Sequence, residues 1–228
     1  MRIPSWSWIL LSLGMLVGCF PRGDPSRPIP TTLVAAPQKA QRLVVVLPGR
    51  ADDINDLHAS GIAQAVQSAW PDADVVLTGL AIGFYLEGRA QQRLHEEVIA
   101  PARERGYAEV WLVGASLGGM GALLHDSSYA NGVDGMVLLA PYLGEGNAQA
   151  GLQRHLQTWQ RDPQRAKNVW LAYGRSDRLR GSMPLLEPLL PPDQVLVEDG
   201  GHDWALWTPV TAEILRRVDA RRHAAGKP

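Results

Sequence analysis

The chain has 228 residues and a formal net charge of −1 at pH 7, enough for one domain with a sizeable core and too balanced to present nucleic acid with a basic field. A single cysteine excludes an intramolecular disulfide, and the chain shows no internal repeat or extended low-complexity tract. Six of the eight tryptophans lie beyond residue 20, within the part expected to fold.

Arg2 and the almost wholly apolar run from Trp6 to Val17 precede Leu16-Val17-Gly18-Cys19, and the run is too short to span a bilayer comfortably. This stretch resembles a bacterial lipoprotein signal. The resemblance implies a signal peptide over 1–18 and a lipid on Cys19 that anchors the chain in the cell envelope, facing the periplasm. Phe20, rather than an acidic residue, follows the cysteine and favours the outer membrane in the Gram-negative sorting pattern. An ordinary secretory signal with an incidental cysteine is the plainer alternative. Pro21, Pro25, Pro28, Pro30 and Pro37 then lie among small and polar residues. They predict a tether over 19–40, extended at about 3.1 Å per residue and packing no core element. The folded domain is expected over 41–228.

Within it, Leu43 to Leu47 is a continuous apolar run closed by Pro48-Gly49, as in a strand buried on both faces. One helix is expected over 54–69, a strand over 74–78, and a helix over 85–105, bent or stopped near Pro101. Glu109 to Val113 reads as a strand, and Leu117 onward as a helix rich in small residues. Gly135 to Ala140 is a strand ended by Pro141, and 148–160 a helix. Strands follow over 168–173 and 194–197, and a last helix over 209–222. Strands alternating with helices imply right-handed crossovers and a mostly parallel α/β sheet covered on both faces.

Ligands of such sheets sit at the carboxyl ends of the strands. There the chain offers Gly114-Ala115-Ser116-Leu117-Gly118, a G-x-S-x-G turn between strand and helix, then Asp177, then His202. The turn sets a serine hydroxyl clear of the sheet, and its flanking glycines avoid collision across the bend. These motifs, in this order, resemble the α/β-hydrolase superfamily over residues 41–222, and Gly200-Gly201-His202-Asp203-Trp204 is similar to esterases of the esterase D type. Pro48-Gly49 departs from the His-Gly that many relatives carry.

The resemblance implies a serine hydrolase of the carboxylesterase type with Ser116 as nucleophile, His202 as base and Asp177 as its orienting acid. The N–H groups of Leu117 and Arg50 would bind the oxyanion. Tyr85, Leu86, Tyr142, Leu143 and Trp159 are expected around the acyl pocket, under a minimal cap between Ala140 and Asn168. His58, His95, His125, His155 and His223 read as solvated surface side chains, Asp199 and Asp203 as turn or helix caps, and Trp111 and Trp170 as core. Histidine spacing gives no metal site, and no P-loop or dinucleotide fingerprint appears, so no metal or cofactor is expected. The expected partners are a small-molecule or envelope ester and the membrane, with the protein a monomer. A catalytically inactive hydrolase-fold lipoprotein that binds a ligand or partner is the alternative. The complete serine, aspartate and histidine set favours the enzyme.

Overall fold

A computed structural model describes residues 22–225. The expected signal peptide, Cys19 and Phe20 lie outside them. Seven strands form one sheet: β1 (Thr31–Val34), β2 (Arg42–Leu47), β3 (Ala73–Thr78), β4 (Glu109–Ala115), β5 (Gly135–Leu139), β6 (Val169–Gly174) and β7 (Val195–Glu198), in the order β1-β3-β2-β4-β5-β6-β7. Only β1 runs antiparallel to its neighbour. The central strands are buried along nearly their whole length, which is why they read as unbroken valine and leucine runs.

The chain folds earlier than its composition predicts. Residues expected as a tether form the edge strand β1, with Thr31 opposite Thr78 and Val34 opposite Val75. Ile29 is buried in the core, and its N–H donates to Glu97 at 2.6 Å. The Gly83 N–H reaches back to the Arg22 carbonyl at 2.8 Å. Polyproline and β conformations are neighbours in backbone space, so an extended proline-rich segment needs little adjustment to cap the open edge of β3.

Helices α1 (Ile54–Ala59) and α2 (Ile62–Ala69) replace the single helix expected, broken at Gly61 with φ 73°. The segment 85–105 is likewise divided into α3 (Ile82–Leu86), α4 (Ala90–Leu94), a π-helical turn His95–Ile99 and α5 (Ala100–Glu104). Gly88, with φ 70°, separates the first two. The wide turn ends just before Pro101, whose ring would press on the carbonyl four residues back in a regular helix. The remaining helices are α6 (Leu117–Ser128), α7 (Gly146–Arg161) and α8 (Trp204–Ala225). Helix α8 starts ahead of the expected Pro209, with Asp203 accepting from the Leu206 N–H at 3.3 Å.

Helices α2 and α8 form one layer, while α6 packs on β2, β4 and β5 between α4 and α7. At the amino ends of the strands Trp70 meets Trp111 edge to face at 5.2 Å, and Arg42 stacks over Trp70. Arg222 closes two bonds to Glu109, at 2.8 and 2.6 Å, so this helix-end arginine ties α8 to the sheet instead of facing solvent alone.

Candidate active site

The carboxyl ends of β2, β4, β6 and β7 carry the polar residues of interest. Ser116 joins β4 to α6 with φ 51° and ψ −110°, a conformation that non-glycine residues rarely adopt. It is held from three directions. Its N–H donates to Leu139 at 2.9 Å, and its carbonyl accepts from Tyr142 at 2.8 Å and Met120 at 3.3 Å. The glycines around it are dictated by contact. A Cβ on Gly114 would lie 2.4 Å from the Gly118 carbonyl oxygen, and one on Gly118 would lie 2.3 Å from that of Leu47. Leu117 opens α6, so its N–H lies in the first turn, where no intrahelical acceptor exists.

Asp177 and His202 meet across the ends of β6 and β7. The His202 Nδ1 lies 2.9 Å from each Asp177 carboxylate oxygen, and the carboxylate also accepts from the Leu179 N–H at 2.7 Å. The Asp177 side chain is fully buried. An ionised carboxylate only accepts, which puts the imidazole proton on Nδ1 and leaves the lone pair on Nε2. The ring packs edge-on against Trp207 at 4.8 Å. Its Nε2 is buried without a hydrogen-bond partner, so the serine–histidine bond of an assembled triad is not formed in this structure. Such bonds are often long before substrate binds. The two loops are fastened together by the Ser176 N–H, which donates to Gly200 at 3.0 Å.

After β2, the turn bearing Arg50 is fixed by a residue that sequence reading missed. Asp52 accepts from the Gly49 N–H and from the Trp204 indole, both at 3.0 Å. Gly49 is correspondingly close to the serine, since a Cβ there would sit 3.7 Å from that of Ser116.

Beside the serine lies an open cleft of about 880 Å³, lined by Arg50, Leu86, Ser116, Leu117 and Tyr142 of the expected residues. Tyr142 lies beside Glu145, and burial, then that carboxylate, raise its phenol above the usual range. Three expected lining residues lie elsewhere. Tyr85 turns its hydroxyl onto Gly121 of α6, where it is buried and unpartnered, and burial pushes its pKa up. Trp159 is buried in α7, its indole donating to Asp126 at 3.2 Å. Helical spacing brings Trp159 inward toward α6, not outward to the strand ends. Leu143 is also core.

The histidines are less solvated than expected. His58 and His223 are exposed, but His125 and His155 are buried. His155 bonds Asp126 at 2.8 Å, while His125 faces His95 at 3.2 Å and stacks with Tyr129. Burial, and then the neighbouring His95, push His125 down to about 4. Asp199 pairs with Arg175 on the surface, and Asp203 caps α8.

A mostly parallel sheet between helical layers, with a strained serine turn after a central strand, is the α/β-hydrolase fold. Among solved structures, the S-formylglutathione hydrolase FrmB from Staphylococcus aureus shares it with a TM-score of 0.61 and 14% identity, over 82% of this chain and 88% of that one. Est1E from Butyrivibrio proteoclasticus gives a TM-score of 0.62 at 11% identity, over 86% and 95%. Esterase PE8 gives 0.59 at 18% identity, over 84% and 100%. At such identities the likeness is one of fold, and function must be argued from the site. No family model matches the sequence, and no curated protein does either.

Proposed function

We propose that this protein is a lipid-anchored serine hydrolase that cleaves carboxylic esters or thioesters in the bacterial cell envelope. Ser116 attacks the acyl carbon as its proton passes to His202 Nε2, and the N–H groups of Leu117 and Arg50 receive the oxyanion. Collapse of the tetrahedral species expels the alcohol or thiol, which takes the proton from His202, and water then releases the acid by the same route. Asp177 holds the imidazole tautomer and stabilises its charged form.

The observation that carries this reading is the Asp177–His202 pair, 2.9 Å long and buried beside an unpartnered Nε2, on the same sheet edge as Ser116 at φ 51°. The solved structures sharing the fold include proteins described as esterases, which supports ester chemistry. Arg22 borders the cleft only three positions after Cys19, so a lipid there would hold the domain directly against the membrane.

The test is labelling of the full chain, purified in non-ionic detergent, with a fluorophosphonate probe, alongside turnover of 4-nitrophenyl acetate. Ser116→Ala and His202→Ala are expected to lose both while keeping the wild-type circular dichroism. The alternative is a catalytically inactive hydrolase-fold protein that binds a ligand or partner. A folded wild type that neither labels nor turns over would establish that second reading.

A further inference from the structure

The walls of the cleft carry an uneven charge. Arg22, Arg50 and Arg178 line it, with Glu145 as the one carboxylate among the lining residues. The three arginines come from the segment before β1, the turn after β2 and the loop after β6, so the fold alone brings them together. The Glu145 carboxylate lies beside Tyr142. The guanidinium groups of Arg22 and Arg178 are exposed and make no hydrogen bond or ion pair among the described residues. Ile82, Leu86, Leu117 and Leu179 share the same walls. An apolar floor next to the serine with a cationic rim fits a ligand that is apolar near its reacting carbonyl and anionic farther out. Guanidinium is well suited to that second part, since its planar fork binds carboxylate and phosphate oxygens in pairs.

We propose that the substrate is an ester bearing a carboxylate or phosphate, seated so that the anion lies between Arg22 and Arg178 while the apolar portion packs on Ile82, Leu117 and Leu179. This inference rests on the hydrolase reading and narrows its substrate class.

Matched ester pairs test it, with the full chain in non-ionic detergent at low salt. On the acyl side the pair is mono-4-nitrophenyl adipate and its methyl ester. On the leaving-group side it is 4-acetoxybenzoate and its methyl ester. The anionic member of at least one pair is expected to have the higher kcat/KM by about tenfold or more, and the ratio should shrink as sodium chloride is raised, because exposed charges are screened. In the Arg22→Gln/Arg178→Gln variant the ratio should fall to near one, and Arg178→Glu should invert it. Labelling by a neutral fluorophosphonate reports independently that the serine remains reactive in each variant. Neutral esters cleaved as well as anionic ones, or an anionic preference that survives the double substitution, would overturn the proposal while leaving the hydrolase intact. Absence of both labelling and turnover in the wild type would instead remove the hydrolase reading on which it stands.

Discussion

Ser116 occupies a backbone conformation that costs of order 1–3 kcal/mol, and it stays there because the close glycine contacts and three hydrogen bonds leave the turn no alternative. Gly114→Ala should therefore destabilise the fold as well as the site, since the added methyl meets backbone, not a movable side chain. Asp52 acts differently. It touches no reacting atom in the proposed chemistry, but its two bonds hold the turn whose Arg50 N–H is assigned to the oxyanion. Asp52→Ala is expected to lower kcat about tenfold to a hundredfold with little change in KM, and Asp52→Asn, which keeps an acceptor, to recover part of it. Steady-state kinetics on 4-nitrophenyl acetate checks both, and a wild-type kcat in Asp52→Ala would refute the role. Ser116, Asp177 and His202 could be proposed from the sequence because each follows a strand within a few residues and carries a local chemical signature. Asp52 could not, for its partner Trp204 lies 152 positions away and nothing in either neighbourhood announces the other.

Helix α6 joins the serine turn at one end to a buried imidazole at the other. His125 faces His95, Tyr129 and Asp126, and burial holds it neutral well below the ordinary histidine range, at about 4. The unfolded chain gains a proton at this residue below about pH 6.5 while the folded one does not, so stability should fall as the pH drops from there toward 4. At pH 5 the loss from this site should be about 2 kcal/mol relative to pH 7.5. Urea unfolding at both pH values measures it, and His125→Leu should flatten the difference; an unchanged slope in that variant would assign the pH effect elsewhere. Strand β1 supports a second prediction at this scale. Deleting residues 22–40 would uncover the edge of β3 and the pocket of Ile29, whose burial alone contributes roughly 1.5–3 kcal/mol. The urea midpoint should drop and aggregation rise, as expected of a bare sheet edge. The buried parallel strands were readable to within two residues because their apolar runs depend on little else. Strand β1 was hidden because its pairing depends on β3 being there, while its own prolines signal an extended chain of any kind. Helix α8 was misjudged at its start because proline favours a first turn, whereas here Trp204 and Trp207 pack beside the site and draw the helix past Pro209.

At the scale of the whole molecule, the ion-pair network and the candidate site occupy opposite ends of the sheet. Arg42, Glu109, Asp219 and Arg222 tie helices to the amino ends of the strands, and the strained serine turn and its open cleft sit at the carboxyl ends. Arg22, where the described residues begin, borders the cleft at this second end. Three residue steps span at most about 11 Å, so a lipid on Cys19 would set Arg22 and the mouth of the cleft at the bilayer surface, not several nanometres above it. Cys19→Ser is accordingly expected to move the protein from the membrane pellet to the soluble fraction while turnover of a water-soluble ester stays within about twofold of wild type. Inserting twelve Gly/Ser residues between Cys19 and Arg22 separates anchoring from placement. The insertion should leave the protein in the pellet and its turnover of the soluble ester unchanged, yet slow hydrolysis of an ester embedded in vesicles severalfold. Equal rates on the embedded ester with and without the insertion would show that the short connection does not position the cleft, even where the anchor itself is present.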